Sequence, residues 1–376
     1  LIISDYVMPE IKGDEFLKLA HEKIPDTNKI MLTGQATIEG VSNAINWANL
    51  YRYIGKPWEV NDLILTIKEA LNSYYKDKKL EDQNKKLIEI NQNLEIKVQE
   101  RTKEVIDKNK ILEEQKNKLN ELYKDLSDSV RYAKRIQTAL LPCEDYINKV
   151  LKENFIYFKP KDVVSGDFYW VKEIGDHIII SVADCTGHGV PGGFMSMLGI
   201  SFLNEVVKRQ EINTTAQVLE EMRQYIISCM QQHGAFGEQK DGMDISLIEI
   251  DKNSLKAQYS GANNPIYIYR INTNILEEIK PDKMPIGIHL KMDSFTNHQF
   301  QLNKGDIIYM FSDGFADQFG GEKGKKYKYK TFRELLLNNA NEDMGKQLAF
   351  IENEFNSWRG DFEQIDDVTI FGIKIL

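Results

Sequence analysis

The sequence predicts a multidomain chain: an α/β segment, a long coiled-coil helix, and an α+β domain in which helices flank two packed sheets as a four-layer α/β/β/α sandwich. Three observations predict it. Residues 1 to about 73 alternate short apolar runs with amphipathic stretches, the pattern of a parallel sheet with crossover helices. Residues from about 75 to 140 contain neither Gly nor Pro and repeat an apolar residue every seven positions. Beyond about residue 154, short apolar β-rich runs alternate with helical stretches that come in pairs, which two packed sheets flanked by helices would require.

Length and charge set limits on function. A chain of 376 residues has room for two or three domains, each with its own core. Its 48 Lys and Arg against 57 Asp and Glu give a net charge of −9, which argues against a general affinity for nucleic acid or an anionic membrane. The local basic stretch Lys323 to Lys330 reads as a solvated face. Cys143, Cys185 and Cys229 show no paired spacing, which fits a reducing compartment. No apolar run approaches a membrane span and no signal peptide is visible, so the chain reads as soluble and cytoplasmic, with no membrane partner. It begins with Leu1 inside an apolar run, and that start is read as other than a natural one.

In the first segment the expected strands are Leu1 to Asp5, Lys29 to Gly34 and Tyr51 to Trp58, with helices at Gly13 to Glu22, Val41 to Trp47 and from Asn61. Asp5, Thr33 and Lys56 fall at strand C-termini, the edge of an open α/β sheet where ligands sit. Asp5-x-x-Met8-Pro9 with Gly13, Thr33 before Gly34, and Lys56-Pro57 together resemble a two-component response-regulator receiver domain, a flavodoxin-like fold. The resemblance implies that Asp5 is the phospho-acceptor, Thr33 and Lys56 contact the phosphoryl group, Tyr53 is the switch aromatic, and a sensor histidine kinase is the partner of the full-length receiver. The family's first two strands and its acidic pair for Mg²⁺ should precede Asp5. Their absence makes this a truncated receiver, and a structural remnant without phosphorylation chemistry stands beside the functional reading.

Leu80, Leu87 and Leu94 recur at heptad spacing, as do Val105, Leu112, Leu119, Leu126, Ala133 and Leu140. The step from Leu94 to Val105 amounts to a four-residue stutter that should locally unwind a supercoil. Val98, Leu122, Val130 and Ile136 supply apolar partner positions, while Asn84 and Asn91 would fix register. The pattern predicts a parallel homodimeric coiled coil; a single helix folding back on a globular domain is the alternative. Pro142 ends it.

In the last segment the apolar run His177 to Val182 leads to Asp184 and a glycine-punctuated turn, Gly187 to Gly193, before a helix from Phe194 to Lys208. Further helices are expected at Thr215 to Gln231, Phe332 to Asn339 and Met344 to Trp358. Asp167, Asp313, and the pair Asp366 and Asp367 likewise stand at the margins of apolar β-rich runs. Clustered carboxylates need a counter-charge, and hard oxygen ligands select two Mn²⁺ or Mg²⁺ ions over Zn²⁺. Two such ions roughly 4 Å apart could hold a bridging hydroxide for in-line attack on phosphorus. The residues alone reach a metal-dependent hydrolase or phosphoryl-transfer enzyme.

Gly166 to Trp170, Ala183 to Gly199, Ser260 to Pro265, Ser312 to Gly314 and Asp366 to Thr369, in that order, resemble the SpoIIE/RsbU-type bacterial serine phosphatases, relatives of the type 2C metal-dependent protein phosphatases. The helix end Ala133 to Pro142 resembles the segment leading into that catalytic domain. The resemblance implies that Asp184 bridges both metals, the Cys185 backbone carbonyl binds one, Asp313 and Asp367 hold the other, and Asp167 acts directly or through water. His188 is the candidate general acid for the leaving serine oxygen, or else a turn residue that packs. Asp244 and Asp317 are candidates for supporting roles, with capping or loop roles as the alternative; Asp366, Asp241 and Asp306 read as turn residues. Asn263-Asn264-Pro265 departs from a His common in the family's loop. The Cys185 thiol is either redox-sensitive beside a metal or inert.

The reading is therefore a receiver domain at 1–73, a coiled-coil linker at 74–141 and a phosphatase domain at 142–376. The family pattern implies hydrolysis of a phosphoserine on a regulatory protein such as an anti-sigma-factor antagonist, under receiver control. A catalytically silent scaffold that binds its partner through the same domain is the rival.

Overall fold

The computed structural model describes residues 1–34, 38–209, 213–234, 240–290 and 292–376. The chain divides into two compact units, Leu1–Lys118 and Leu119–Leu376.

The first unit holds a three-stranded parallel sheet, β1 (Ile2–Asp5), β2 (Lys29–Thr33) and β3 (Leu50–Gly55), in that spatial order. Helices α1 (Gly13–Lys23) and α2 (Ile38–Ala48) are the crossovers, and Tyr6, Leu17, Met31, Ala44 and Ala48 form the small core. This is the α/β segment the alternation predicts. The next helix, α3, runs unbroken over Val60–Leu140, 81 residues. With no Gly or Pro inside it, nothing ends it until Pro142. Leu80, Leu87, Leu94, Val105 and Leu112 on its seam are all more than half exposed.

The second unit opens with the end of α3 and a short helix, α4 (Glu144–Val150), that the sequence pattern did not announce. Among the described residues, ten strands then build two antiparallel sheets from the short apolar β-rich runs of this segment. They are β4 (Asn154–Lys159), β5 (Phe168–Ile174), β6 (His177–Cys185), β7 (Met243–Asp251), β8 (Lys256–Ala262), β9 (Ile266–Arg270), β10 (Ile275–Ile279), β11 (His298–Gln301), β12 (Ile307–Phe311) and, after a small hairpin of β13 (Phe319–Gly320) and β14 (Lys325–Lys326), β15 (Val368–Lys374). One sheet has the order β10-β9-β12-β15-β4 and the other β11-β8-β7-β6-β5. Helices α5 (Gly189–Val206) and α6 (Thr215–Cys229) cover the second sheet; α7 (Gly314–Asp317), α8 (Tyr329–Asn339) and α9 (Met344–Arg359) lie on the side of the first.

Period-two patterning makes the layers. In β6, Ile178, Ile180 and Val182 enter the core between the sheets with Ile268, Ile308, Met310 and Phe371, whereas Ile179, Ala183 and Cys185 pack under α5 and α6 with Ile200, Leu203 and Met222. In β12, Ile308 and Met310 face the other sheet while Ile307, Tyr309 and Phe311 join Phe332 and Phe355. The result is a four-layer α/β/β/α sandwich. Two helix starts have visible causes. Thr214 and Gln217 close a capping box at α6. Helix α5 begins at Gly189, five positions before the expected Phe194, because Pro191 falls in the first turn, where a missing N–H costs nothing.

Candidate active site

The antiparallel order carries distant aspartates to one place. Asp167 precedes β5, Asp184 lies near the end of β6 and Asp244 near the start of β7; in the other sheet Asp313 follows β12 and Asp366 and Asp367 precede β15. Neighbouring antiparallel strands bring the end of one beside the start of the next, so these positions share one edge of the sandwich. Asp184 and Asp244 stand opposite each other across β6 and β7, a like-charge pair that disfavours the fold unless something positive offsets it. Asp184 also continues the even register of β6, which faces the first sheet.

A cavity of about 250 Å³ is lined by Asp184, Cys185, His188, Asp244, Asp313 and Asp366, among others. Asp167 lies behind it, 1% exposed: one carboxylate oxygen accepts from the hydroxyls of Ser312 at 2.5 Å and Thr369 at 2.8 Å. Its other oxygen is buried without a partner, as is one oxygen of Asp313. Burial pushes the Asp167 carboxyl up to about 8, against the pull of the Ser312 bond. Burial first, then the neighbouring Asp167, Asp313, Asp366 and Asp244, raises Asp184 well above the usual carboxylate range. Asp313 is pushed up to about 6 by burial and by Asp366, less the effect of its hydrogen bond with Asp184. Asp244 is raised by burial too, offset by the Asn263 amide that donates to it at 2.8 Å. That bond gives the Asn263-Asn264 loop a definite partner at the site.

Asp366 and Asp367 divide their work differently from the sequence expectation. Asp367 accepts backbone N–H bonds from Lys161 and Gly166, both at 2.7 Å, and is 2% exposed, so both of its oxygens hold loops in place. Asp366, expected to be a turn residue, lines the cavity with Asp184 and Asp313. The sequence signal was the doubled aspartate itself; which of the two turns inward depends on the loop before β15. Asp306, also read as a turn residue, is fully buried and accepts from Arg270 at 2.9 Å. Asp317 pairs with Lys326 at 2.7 Å.

His188 caps α5 in position, though not through its side chain. Its Nδ1 lies 2.7 Å from Asp162 Oδ2 and its Nε2 2.9 Å from Lys161 Nζ. The Asp162 carboxylate accepts from Nδ1 and so fixes the orientation of the ring. The turn before α5 packs backbone on backbone. Gly187 and Gly189 have φ of 84° and 65°, the left-handed region that favours glycine. A Cβ on Gly166 or Gly192 would run into the Gly187 carbonyl. The Cys185 side chain is buried in the core under α5, where burial first and then the adjacent Asp184 raise its thiol well above the usual range, an environment that favours the inert reading over the redox-sensitive one.

In the first unit, Lys56 Nζ forms an ion pair with Asp5 Oδ2, and that bond holds the Asp5 carboxyl below its usual value. Thr33, at the end of the adjacent strand, is 8% exposed with its hydroxyl unpartnered, so these three groups meet at one sheet edge. Tyr53 lies 53% exposed on β3.

Residues 174–376, more than half of the chain, match the family model described as Stage II sporulation protein E (SpoIIE). The chain belongs to the SpoIIE family. This SpoIIE-family chain is similar to the SiaA-PP2C domain of Pseudomonas aeruginosa, with 30% identity and a TM-score of 0.60 over 67% of this chain and 97% of that one. It is 24% identical to phosphoserine phosphatase RsbU of Bacillus subtilis (strain 168) over 205 residues, 53% of this chain and 56% of RsbU. Its N-terminal, receiver-like region carries the similarity to the hydrogenase transcriptional regulatory protein HoxA of Bradyrhizobium diazoefficiens, 36% identical over 80 residues, 21% of this chain and 16% of HoxA. The SpoIIE-family chain thus spans little more than half of RsbU and under a fifth of HoxA. Among the described residues, no helix is long and apolar enough to cross a membrane.

Proposed function

We propose that the chain is a metal-dependent protein serine/threonine phosphatase that hydrolyses a phosphoserine on a regulatory protein, under the control of its receiver-like region. The observation that carries this is the meeting of Asp167, Asp184, Asp244, Asp313 and Asp366 at one edge, with two buried carboxylate oxygens that no protein donor satisfies.

Among the described residues, no Lys or Arg side chain pairs with any of these five carboxylates, and no three His, Cys, Asp or Glu side chains are already drawn together as a ligand set. The donor chemistry fits hard divalent cations: carboxylate and carbonyl oxygens, two of them orphaned, with no imidazole or thiolate cluster to favour a softer ion. Asp184, Asp313 and Asp366 and the Cys185 carbonyl would hold Mn²⁺ or Mg²⁺, with Asp167 and Asp244 behind them. Such cations, when bound, supply Lewis-acid charge for phosphoryl oxygens and lower the pKa of water. The protein's own part is to fix the carboxylates from two sheets before substrate arrives, so that no reorganisation is needed during reaction. Asp162 orients His188, which would give a proton to the leaving serine oxygen, and Lys161 beside it adds a cation for the phosphate.

In this reading residues 1–73 receive a signal from a sensor histidine kinase at Asp5, 74–141 form a parallel dimeric coiled coil, and 142–376 carry the chemistry. The exposed heptad seam supports the dimer, since one chain leaves Leu80 to Leu112 in water. The similarity to RsbU, a phosphoserine phosphatase, supports the substrate class, and an anti-sigma-factor antagonist is a regulatory protein of that kind. The test is turnover of p-nitrophenyl phosphate and a phosphoserine peptide with and without Mn²⁺. Metal-independent turnover, or a normal rate in Asp184→Asn, would refute the proposal.

A further inference from the structure

A second, larger depression adjoins the aspartate edge. It measures about 970 Å³ and lies between the β9–β10 hairpin, the segment that follows β10, and α8. Its floor is apolar, from Pro265, Tyr267, Leu276 and Leu337, and Ile275 on its rim is 55% exposed. Four cations line it, Lys280, Lys283, Lys330 and Arg333, against two carboxylates, Glu278 and Glu334. Arg333 is committed: it pairs with Glu278 at 2.7 Å and lies over the Tyr267 ring. Lys280, Lys283 and Lys330 are exposed and form no ion pair with any described residue. In a chain of net charge −9 this is a local excess of positive charge on an apolar floor.

Two residues join this groove to the site. Asn263 lines it and donates to Asp244, which lines the aspartate cavity. Tyr329 lines it as well, and its ring lies 6.3 Å from that of Phe311, the β12 residue just before Ser312 and Asp313. A peptide with its phosphoserine at the aspartates therefore has a path into the groove.

We infer that this groove is the docking site for the substrate's flank, an acidic segment with an apolar side chain next to the phosphoserine. The inference rests on the phosphoserine-protein reading above and deepens it. Three unpaired ammonium groups select carboxylates, and the apolar floor takes one side chain from between them. The site edge beside the groove is strongly acidic and repels an acidic flank. The lysines offset that repulsion and give the flank a fixed direction away from the aspartates.

The test is fluorescence anisotropy of the full chain with Mn²⁺, using peptides that carry a non-hydrolysable phosphonate in place of the phosphoserine ester, so that no turnover intervenes, and that differ only in an acidic, neutral or basic flank. The acidic peptide should bind about tenfold more tightly than the basic one, and the gap should narrow as salt rises. The combined variant Lys280→Glu, Lys283→Glu, Lys330→Glu, its fold checked by circular dichroism melting, should lose the preference. Equal binding of all three peptides, or an unchanged preference in the variant, overturns the inference. Turnover of p-nitrophenyl phosphate by the unaltered chain, which has no flank to dock, judges the phosphatase reading separately. Peptide preference without turnover would leave the groove standing and remove the phosphatase; turnover without preference would do the reverse.

Discussion

Gln137 offers the sharpest test of how the end of α3 is tied to the site. It lies in the last turn of that helix and is 4% exposed. Its amide donates to the Ser165 carbonyl at 2.6 Å and to the Ser196 hydroxyl at 2.8 Å, and its carbonyl accepts from the Ser165 N–H at 3.1 Å. Ser165 in turn caps the Asp167 N–H with its hydroxyl at 3.1 Å, so one side chain of α3 holds the loop that presents Asp167. Gln137→Ala would leave the Ser165 carbonyl with the Ser196 hydroxyl as donor, but would orphan a fully buried Ser165 N–H. An orphaned buried donor costs roughly 1–3 kcal/mol and each lost bond about 1 kcal/mol, so the variant should lose about 2–4 kcal/mol. For a domain of this size that is a fall in Tm of roughly 5–12 °C. The isosteric Gln137→Met should lose nearly as much, because volume is kept and only polarity is removed. The assay is thermal melting, followed by the Mn²⁺ concentration for half-maximal turnover of p-nitrophenyl phosphate. That concentration should rise for both Gln137 variants and stay put for Leu219→Ala, a core truncation in α6 of similar cost that touches no aspartate. A Gln137→Ala melt within about 1 °C of the unaltered chain would refute the reasoning.

Other outcomes follow from the same geometry. Asp184→Asn and Asp313→Asn should each lower kcat by about a hundredfold or more, and EDTA should abolish turnover of the unaltered chain; a colorimetric assay of released p-nitrophenol checks both. Asp366→Asn should raise the Mn²⁺ requirement about tenfold with little change in melting. Asp367→Asn should instead lower the melting temperature, because an amide cannot accept both backbone N–H bonds, at a cost of about 2 kcal/mol. Replacing both Leu112 and Leu119 with Asp should convert a dimer to a monomer by light scattering, and a monomeric unaltered chain would dispose of the coiled coil.

Much of the fold could be read from periodicity. The continuous apolar runs His177 to Val182 and Ile307 to Phe311 announced strands buried on both faces, and the heptads announced an unbroken helix. What escaped depends on long-range contact. Helix α4 has only seven residues, too short for a periodic signal, and is held by Ile147 in the core between the sheets. Asp366 could not be told from Asp367, because which carboxylate faces the cavity is set by the Lys161 and Gly166 amides from a distant loop. The heptad pattern could not single out Gln137, since its partners lie 28 and 59 positions away. Lys280, Lys283 and Lys330 escaped because β10 and α8 come together only in the folded domain.

The bond from Gly166 to Asp367 joins positions 201 apart, and the other aspartates are scattered between them. No local stretch of chain can assemble a partial site, so a divalent cation will find its ligands only after both sheets have closed. The cation then acts as a ligand of the native state alone, and its concentration enters the folding equilibrium directly. At a hundred times its Kd it would add about 2.7 kcal/mol to the stability of the domain. For this chain a shift of the melting curve on titration with Mn²⁺ would measure metal affinity without any substrate, and the same titration of Asp184→Asn would separate the cation's effect on folding from its effect on chemistry.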